Sequence, residues 1–208
     1  FLVLEGVNGA GKTSLLNKIS DYISNLKFEV VKSFEPGSSK AGIEIRKLIL
    51  SGEYNLNSLS ETFLFAADRT EHVNKVIKTN LEKNKIVISD RYYYSSIAFQ
   101  GYGRKQDLDF IKQVNQKACS GTYPDLVILL DLDPKVGLQR TKKRQDDSKD
   151  SFEDEEIEFH NNLREGFLEI AKSSNENFLI INAEKTEEEI WLQVKDVLDL
   201  WAKSLKND

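Results

Sequence analysis

Five short apolar runs punctuate the chain: residues 1–4 (Phe-Leu-Val-Leu), Val30-Val31, Ile86-Val87-Ile88, Leu126 to Leu130 and Phe178 to Ile181. Each is continuous rather than alternating, and most are rich in β-branched residues, the pattern of parallel strands covered on both faces. Between them apolar positions recur with helical spacing. Leu15, Leu16, Ile19 and Ile23 form one stripe after the first run. A long helix is predicted over Ser58 to Lys83, with Ser58 as N-cap, Glu61 completing a capping box, and Leu59, Phe63, Ala66, Thr70, Val73 and Ile77 facing the core. Further helices are predicted over Glu156 to Lys172 and Glu187 to Leu205, the last burying Ile190, Val194, Val197 and Trp201. The alternation predicts a doubly wound α/β fold, with about five parallel strands, helices on both faces, and ligands gathered at the carboxyl ends of the strands.

Composition narrows the class. The 208 residues suit a single domain spanning 1–208, and 39% hydrophobic with 30% charged residues is the balance of a soluble globular protein. No apolar run approaches a membrane span and no signal-like start is visible, so a cytoplasmic location without membrane partners is expected. The single cysteine, Cys119, excludes an internal disulfide and suits a reducing compartment. A net charge of −5 argues against a nucleic-acid binder, which would carry a basic stripe; any phosphate handled here should be small. Methionine is absent, so the natural start is expected to lie slightly upstream.

The candidate chemistry begins right after the first strand. Gly6, Val7, Asn8, Gly9, Ala10, Gly11, Lys12, Thr13 and Ser14 satisfy the G-x-x-x-x-G-K-T pattern of an ATP-binding phosphate loop, with strand before and helix after. The glycines let several backbone N–H groups converge on phosphate oxygens, Lys12 reaches the outer phosphates, and Thr13 ligates Mg2+. The helix beginning at Lys12 adds its dipole to the same anion site.

Three other stretches converge on that edge of the sheet. Phe34-Glu35-Pro36-Gly37-Ser38-Ser39 forms a bend just past a strand end, either a plain connection or a wall of the site. Phe65, Arg69 and His72 share one helix face, where a ring beside a guanidinium can stack a planar base and read its edge, or simply pack. Asp90-Arg91 emerges from the third strand: the carboxylate can hold metal-bound water, and the guanidinium can clamp a phosphate, unless the pair only caps the next helix. Phe99 to Arg104 is a glycine- and aromatic-rich loop suited to lining a pocket. Farther on, Arg140 and Arg144 lie four residues apart and can address one anion; the charge-dense segment 145–153 reads as a mobile lid or as a surface loop.

Taken together, Glu5 to Ser14, Phe65 to Arg69, Asp90-Arg91-Tyr92 with Ser95 to Gly101, and Tyr123-Pro124-Asp125-Leu126 resemble the bacterial thymidylate kinases, P-loop nucleoside monophosphate kinases, along almost the whole chain. The resemblance implies a P-loop NTPase-type five-stranded parallel sheet with a short lid at about 145–153, ATP and Mg2+, phosphoryl transfer to dTMP, and a homodimer packed through helices. It implies that Phe65 stacks on thymine, Arg69 donates to its O4 edge, and Arg91 holds the acceptor phosphate. Asp90 would organise magnesium-bound water or that phosphate, Ser96, Phe99 and Gln100 would line the base and sugar pocket, and Glu35 would belong to the substrate side. Lys12, Arg140 and Arg144 would neutralise the transferring group.

Three positions depart from the family pattern. Asn8 stands where an acidic residue contacts the sugar 3′-hydroxyl, Phe34 replaces an arginine ahead of Glu35-Pro36-Gly37, and Ser151 replaces the arginine of the lid. The Gly9-Ala10 pair of the loop supplies no arginine either, so Arg144, Arg140 or Lys149 would have to substitute. A kinase of another nucleotide or nucleoside, or a catalytically weakened relative, remains the alternative at this level.

Overall fold

The computed structural model describes residues 1–143 and 151–205. Five strands, β1 (Leu2–Gly6), β2 (Val30–Phe34), β3 (Ile86–Asp90), β4 (Leu126–Asp131) and β5 (Phe178–Asn182), form one all-parallel sheet in the order β2-β3-β1-β4-β5. The continuous runs read as doubly covered strands take the central places: β1 and β4 are buried almost throughout, and β3 up to its last residue. β1 pairs with both neighbours, Leu4 opposite Asp90 on one side and Gly6 opposite Leu130 on the other. This register places the phosphate loop and the Asp90-Arg91 step side by side at the carboxyl edge.

Helices α1 (Lys12–Asn25), α2 (Lys40–Leu50), α3 (Ser58–His72), α4 (Lys78–Leu81), α5 (Tyr93–Ser96), α6 (Leu108–Cys119), α7 (Pro134–Lys142), α8 (Ile157–Ser173) and α9 (Glu187–Ser204) cover the sheet. Leu15, Leu16, Ile19 and Ile23 are buried as the periodicity predicts. In α9, Val194, Leu198 and Ala202 form the buried stripe, with Ile190, Val197 and Trp201 half-buried beside it. No helix among the described residues is long and apolar enough to cross a membrane.

The long helix departs most from its sequence reading. Its cap is Asn57, whose side chain accepts from the Ser60 N–H, and not Ser58. It passes through a wider π-helical segment, Val73–Ile77, before closing as α4. Val73 and Ile77 are buried, but Leu59 and Phe63 are about half exposed, while Glu61, Thr62, Asp68, Arg69 and His72 are buried in their place. The inward face of α3 is polar because it supplies a hydrogen-bonded wall to the site. A second π-helical segment, Ile97–Gly103, continues α5 and carries Phe99 and Gln100 inward.

Candidate active site

The phosphate loop has the conformation its glycines permit. Gly6, Gly9 and Gly11 stand at φ +136°, +77° and +92°. A Cβ on Gly6 would lie 2.4 Å from the Leu130 carbonyl oxygen, and one on Gly9 2.3 Å from that of Gly137, so the loop lies directly on β4 and α7. Lys12 is buried and folds over the loop, donating to the Gly6 and Val7 carbonyl oxygens, both at 3.0 Å. Thr13 Oγ1 donates to Asp90 Oδ2 at 2.9 Å, which joins the two residues read as a metal site. Among the described residues no three His, Cys, Asp or Glu side chains converge as a metal cage. A hydroxyl beside one carboxylate is instead the sparse protein donor set that Mg2+ tolerates, because it retains waters and takes the rest from phosphates.

Arg91 hangs over this loop. Its Nη1 donates to the Gly6 carbonyl oxygen at 3.0 Å and to Ser95 Oγ at 2.9 Å, its Nη2 donates to Asn8 Oδ1, and its guanidinium lies over the Phe99 ring. Beneath it is Glu5, fully buried at the end of β1, which accepts from the Tyr92 and Ser95 N–H groups at 2.9 and 3.2 Å and from the Ser95 hydroxyl at 2.6 Å. Burial pushes the Glu5 carboxyl up to about 7, against the pull of Arg91.

The α3 wall is organised around Arg69. Nε and Nη2 donate to Glu35 Oε2 at 2.9 and 2.6 Å, Nη2 also to the Tyr92 carbonyl oxygen at 3.2 Å, and Nη1 to Ser96 Oγ at 2.9 Å and to Asn115 Oδ1. All five guanidinium N–H groups are therefore engaged within the protein. Glu35 offers its other oxygen to His72 Nδ1 at 2.8 Å. Burial alone would raise the Glu35 carboxyl, but Arg69 and His72 outweigh it and hold it below its ordinary value. Glu35 is thus an organiser of Arg69. Asp68, the residue before, accepts from the Gly37 N–H at 2.9 Å and fixes the bend after β2; burial, with the Glu35 charge adding to it, raises its carboxyl to about 6.

One cavity of about 660 Å3 joins these parts. It is lined by Asn8, Gly9, Gly11, Lys12, Thr13 and Ser14 on the loop side and by Glu35, Phe65, Arg69, Asp90, Arg91, Ser96, Phe99 and Gln100 opposite. Gly6, Val7 and Ala10 lie outside that lining, all three of them buried. Arg140 is not brought in: Nη1 donates to the Ala183 carbonyl oxygen at 3.1 Å, at the start of the β5–α9 connection. Arg144 and Lys149 lie outside the described residues, as does 145–150 of the predicted lid. The remainder of that lid, 151–153, lies in the helical turn Ser151–Asp154, which buries Phe152 among Phe65, Phe99 and Phe159, with ring centroids 5.2 to 6.3 Å apart.

Two arginines take roles that the sequence does not show. Arg46, on α2, lies over the Phe34 ring and donates to the Pro36 carbonyl oxygen at 2.7 Å, so a guanidinium reaches the wall where Phe34 replaces the expected arginine. Arg104 bridges Glu61 and Glu155 and lies over Phe152 and Phe159, tying the lid turn to α3. A lone arginine in an amphipathic helix and another at a loop end carry no distinctive spacing.

Comparison with known proteins returns one family. Residues 4–194 match the family model described as thymidylate kinase. The chain is 40% identical to the thymidylate kinase of Maridesulfovibrio salexigens, over 94% of this chain and 93% of that one, and 40% identical to that of Carboxydothermus hydrogenoformans, over 96% of each. Among solved structures, the thymidylate kinase of Ehrlichia chaffeensis superposes with a TM-score of 0.77 at 32% identity, covering 95% of this chain and 97% of that one.

Proposed function

The chain belongs to the thymidylate kinase family, and from that premise we propose how its own residues carry ATP-dependent phosphorylation of dTMP to dTDP. The observation that carries the assignment of roles is the single cavity joining a phosphate loop to a buried polar wall suited to a pyrimidine edge.

On the donor side, the loop N–H groups cradle the ATP phosphates, and Lys12 exchanges its loop carbonyls for the outer phosphate oxygens. Thr13 and Asp90, joined through their side chains, would hold Mg2+, which would supply charge neutralisation for the phosphates. On the acceptor side, Arg91 turns its guanidinium from Asn8 to the dTMP phosphate, whose oxygen is the nucleophile. That oxygen is ionised at neutral pH, so no general base is needed. Catalysis then consists of alignment, exclusion of water and balance of charge.

Phe65 stacks on the base and Phe99 walls the sugar. Because Arg69 is fully engaged, we assign the O4 contact to the Ser96 hydroxyl: its oxygen accepts from Arg69, so its own hydrogen is available for a base carbonyl. Arg69 strengthens that donor from behind. With Arg140 held by Ala183, Arg144 is the remaining arginine for the lid role.

The chain acts as a 1–208 single domain in the cytoplasm. The half-exposed Leu59 and Phe63 on α3 favour a homodimer packed through helices, with sedimentation velocity as its test. The roles are tested by ADP formation from ATP and Mg2+ against dTMP, dUMP, dCMP, UMP, AMP, GMP and thymidine. Turnover selective for dTMP is expected, and selective use of another acceptor would mean that this polar wall had been misassigned.

A further inference from the structure

Gln100 is fully buried in the wall of the cavity, and only one end of its amide is satisfied. Nε2 donates to Glu61 Oε1 at 2.8 Å, whereas Oε1 is buried with no hydrogen-bond partner. An amide is nearly symmetric in shape, so what decides which end faces a ligand is the group it is anchored to. Here the anchor is a carboxylate that can only accept. Its other oxygen takes Arg104 Nη2 at 3.2 Å, so Glu61 is held in place by a cation on its far side; burial raises its carboxyl, while the Gln100 amide and Arg104 pull the other way.

We propose that Glu61 is a specificity-determining positioning residue: by claiming the amino end of Gln100, it forces the carbonyl end to serve as the acceptor that reads the base at N3. The inference rests on the dTMP reading and deepens it. A buried acceptor without a donor is costly, and a ligand N–H placed there recovers that cost. Thymine presents an N–H at N3 next to the O4 carbonyl, so the wall offers Gln100 Oε1 and the Ser96 hydroxyl in complementary order. Cytosine presents a lone pair at N3 and an amino group at position 4, opposed at both places. Discrimination of this kind comes from leaving buried polar groups unpaired against the wrong base. Glu61 never touches the base, yet it sets the sign of the contact.

The test is Glu61→Gln. Arg104 claims the carbonyl oxygen of the new amide, whose NH2 then faces Gln100; the Gln100 amide turns over and presents its own NH2 to the cavity. The ratio of kcat/KM for dTMP to that for dCMP should fall by at least ~10-fold, with KM for ATP unchanged. Equal losses on both nucleotides, leaving the ratio at the wild-type value, would overturn the proposal and make Glu61 a packing residue. Should Glu61→Gln not fold by thermal unfolding, Glu61→Ala, which leaves Nε2 unanchored, reads the same ratio with the same two outcomes. A wild-type protein that shows no preference for dTMP over dCMP would overturn the dTMP reading itself, and this proposal with it.

Discussion

Arg91 and Asn8 are joined across the mouth of the phosphate loop, Nη2 to Oδ1 at 2.5 Å, while the Arg91 backbone stands at φ +75°. A non-glycine residue in the left-handed region costs roughly 1–3 kcal/mol and persists only where its surroundings over-determine it. Here they do: the Arg91 N–H donates to the Leu4 carbonyl oxygen at 2.9 Å and the next N–H is held by Glu5. The strained step turns the side chain back over the loop, where the proposed function puts the acceptor phosphate.

The amide at position 8 gives Arg91 a neutral partner. Asn8→Asp would convert this contact to an ion pair and leave a second carboxylate oxygen for the sugar 3′-hydroxyl. We expect kcat/KM for dTMP to rise ~3- to 10-fold, in line with a charge-assisted hydrogen bond, and that for 3′-deoxy-dTMP to change little. Steady-state kinetics on the two acceptors checks this; a common change in both would remove position 8 from sugar recognition.

Glu5 makes stability depend on pH in an unusual direction. Its carboxyl titrates near 7 in the folded protein against 4.5 for the unfolded chain. A raised acid favours the folded state while protonated: its contribution is full below 4.5, declines between 4.5 and 7, and is absent above. That amounts to about 3 kcal/mol across the window. Asp68, raised from 3.8 to about 6, adds to the same trend. Thermal unfolding of Glu5→Gln, compared with wild type from pH 5 to 8, should show a flatter profile. An unchanged slope would mean that Glu5 is ionised throughout.

The ion pair of Arg69 and Glu35 binds the α3 wall to the bend after β2, with both side chains almost fully buried. Removing one partner strands the other. Arg69→Met should cost about 3–5 kcal/mol in urea unfolding, as for a broken buried pair. Arg69→Met combined with Glu35→Leu should recover part of the loss, because no carboxylate is then left unpaired. A small effect of the single variant would show that water reaches Glu35.

That pair also marks where the sequence is readable and where it is not. The strands and the phosphate loop were legible because continuous apolar runs and a glycine pattern act locally. The face of α3 was not: hydropathy counts Glu61, Asp68, Arg69 and His72 as surface and Leu59 and Phe63 as core, and only partners far away in the chain reverse this. The individual pairings that seat Arg69 join residues 23 to 46 positions apart, a distance at which periodicity carries no information. The convergence of Phe65, Arg69, Asp90, Arg91, Ser96 and Gln100 on one cavity was nevertheless anticipated, because each lies near a carboxyl strand end or on a helix facing it.

The two arginines of the lid region should separate cleanly. Both were expected at the transferring phosphoryl group, but Arg140 spends its Nη1 on the Ala183 carbonyl oxygen, outside the cavity lining. Arg140→Ala should therefore leave kcat within about threefold and lower stability by about 1 kcal/mol, the worth of one hydrogen bond. Arg144→Ala should lower kcat by ~100-fold or more with KM for dTMP little changed, since an arginine acting on transition-state charge works on the chemical step. Single-turnover kinetics of both variants against thermal unfolding decides between them. A large kcat loss in Arg140→Ala would mean that its bond to Ala183 is exchanged for substrate during turnover, and an unchanged kcat in Arg144→Ala would leave Lys149 or Arg46 to balance the charge.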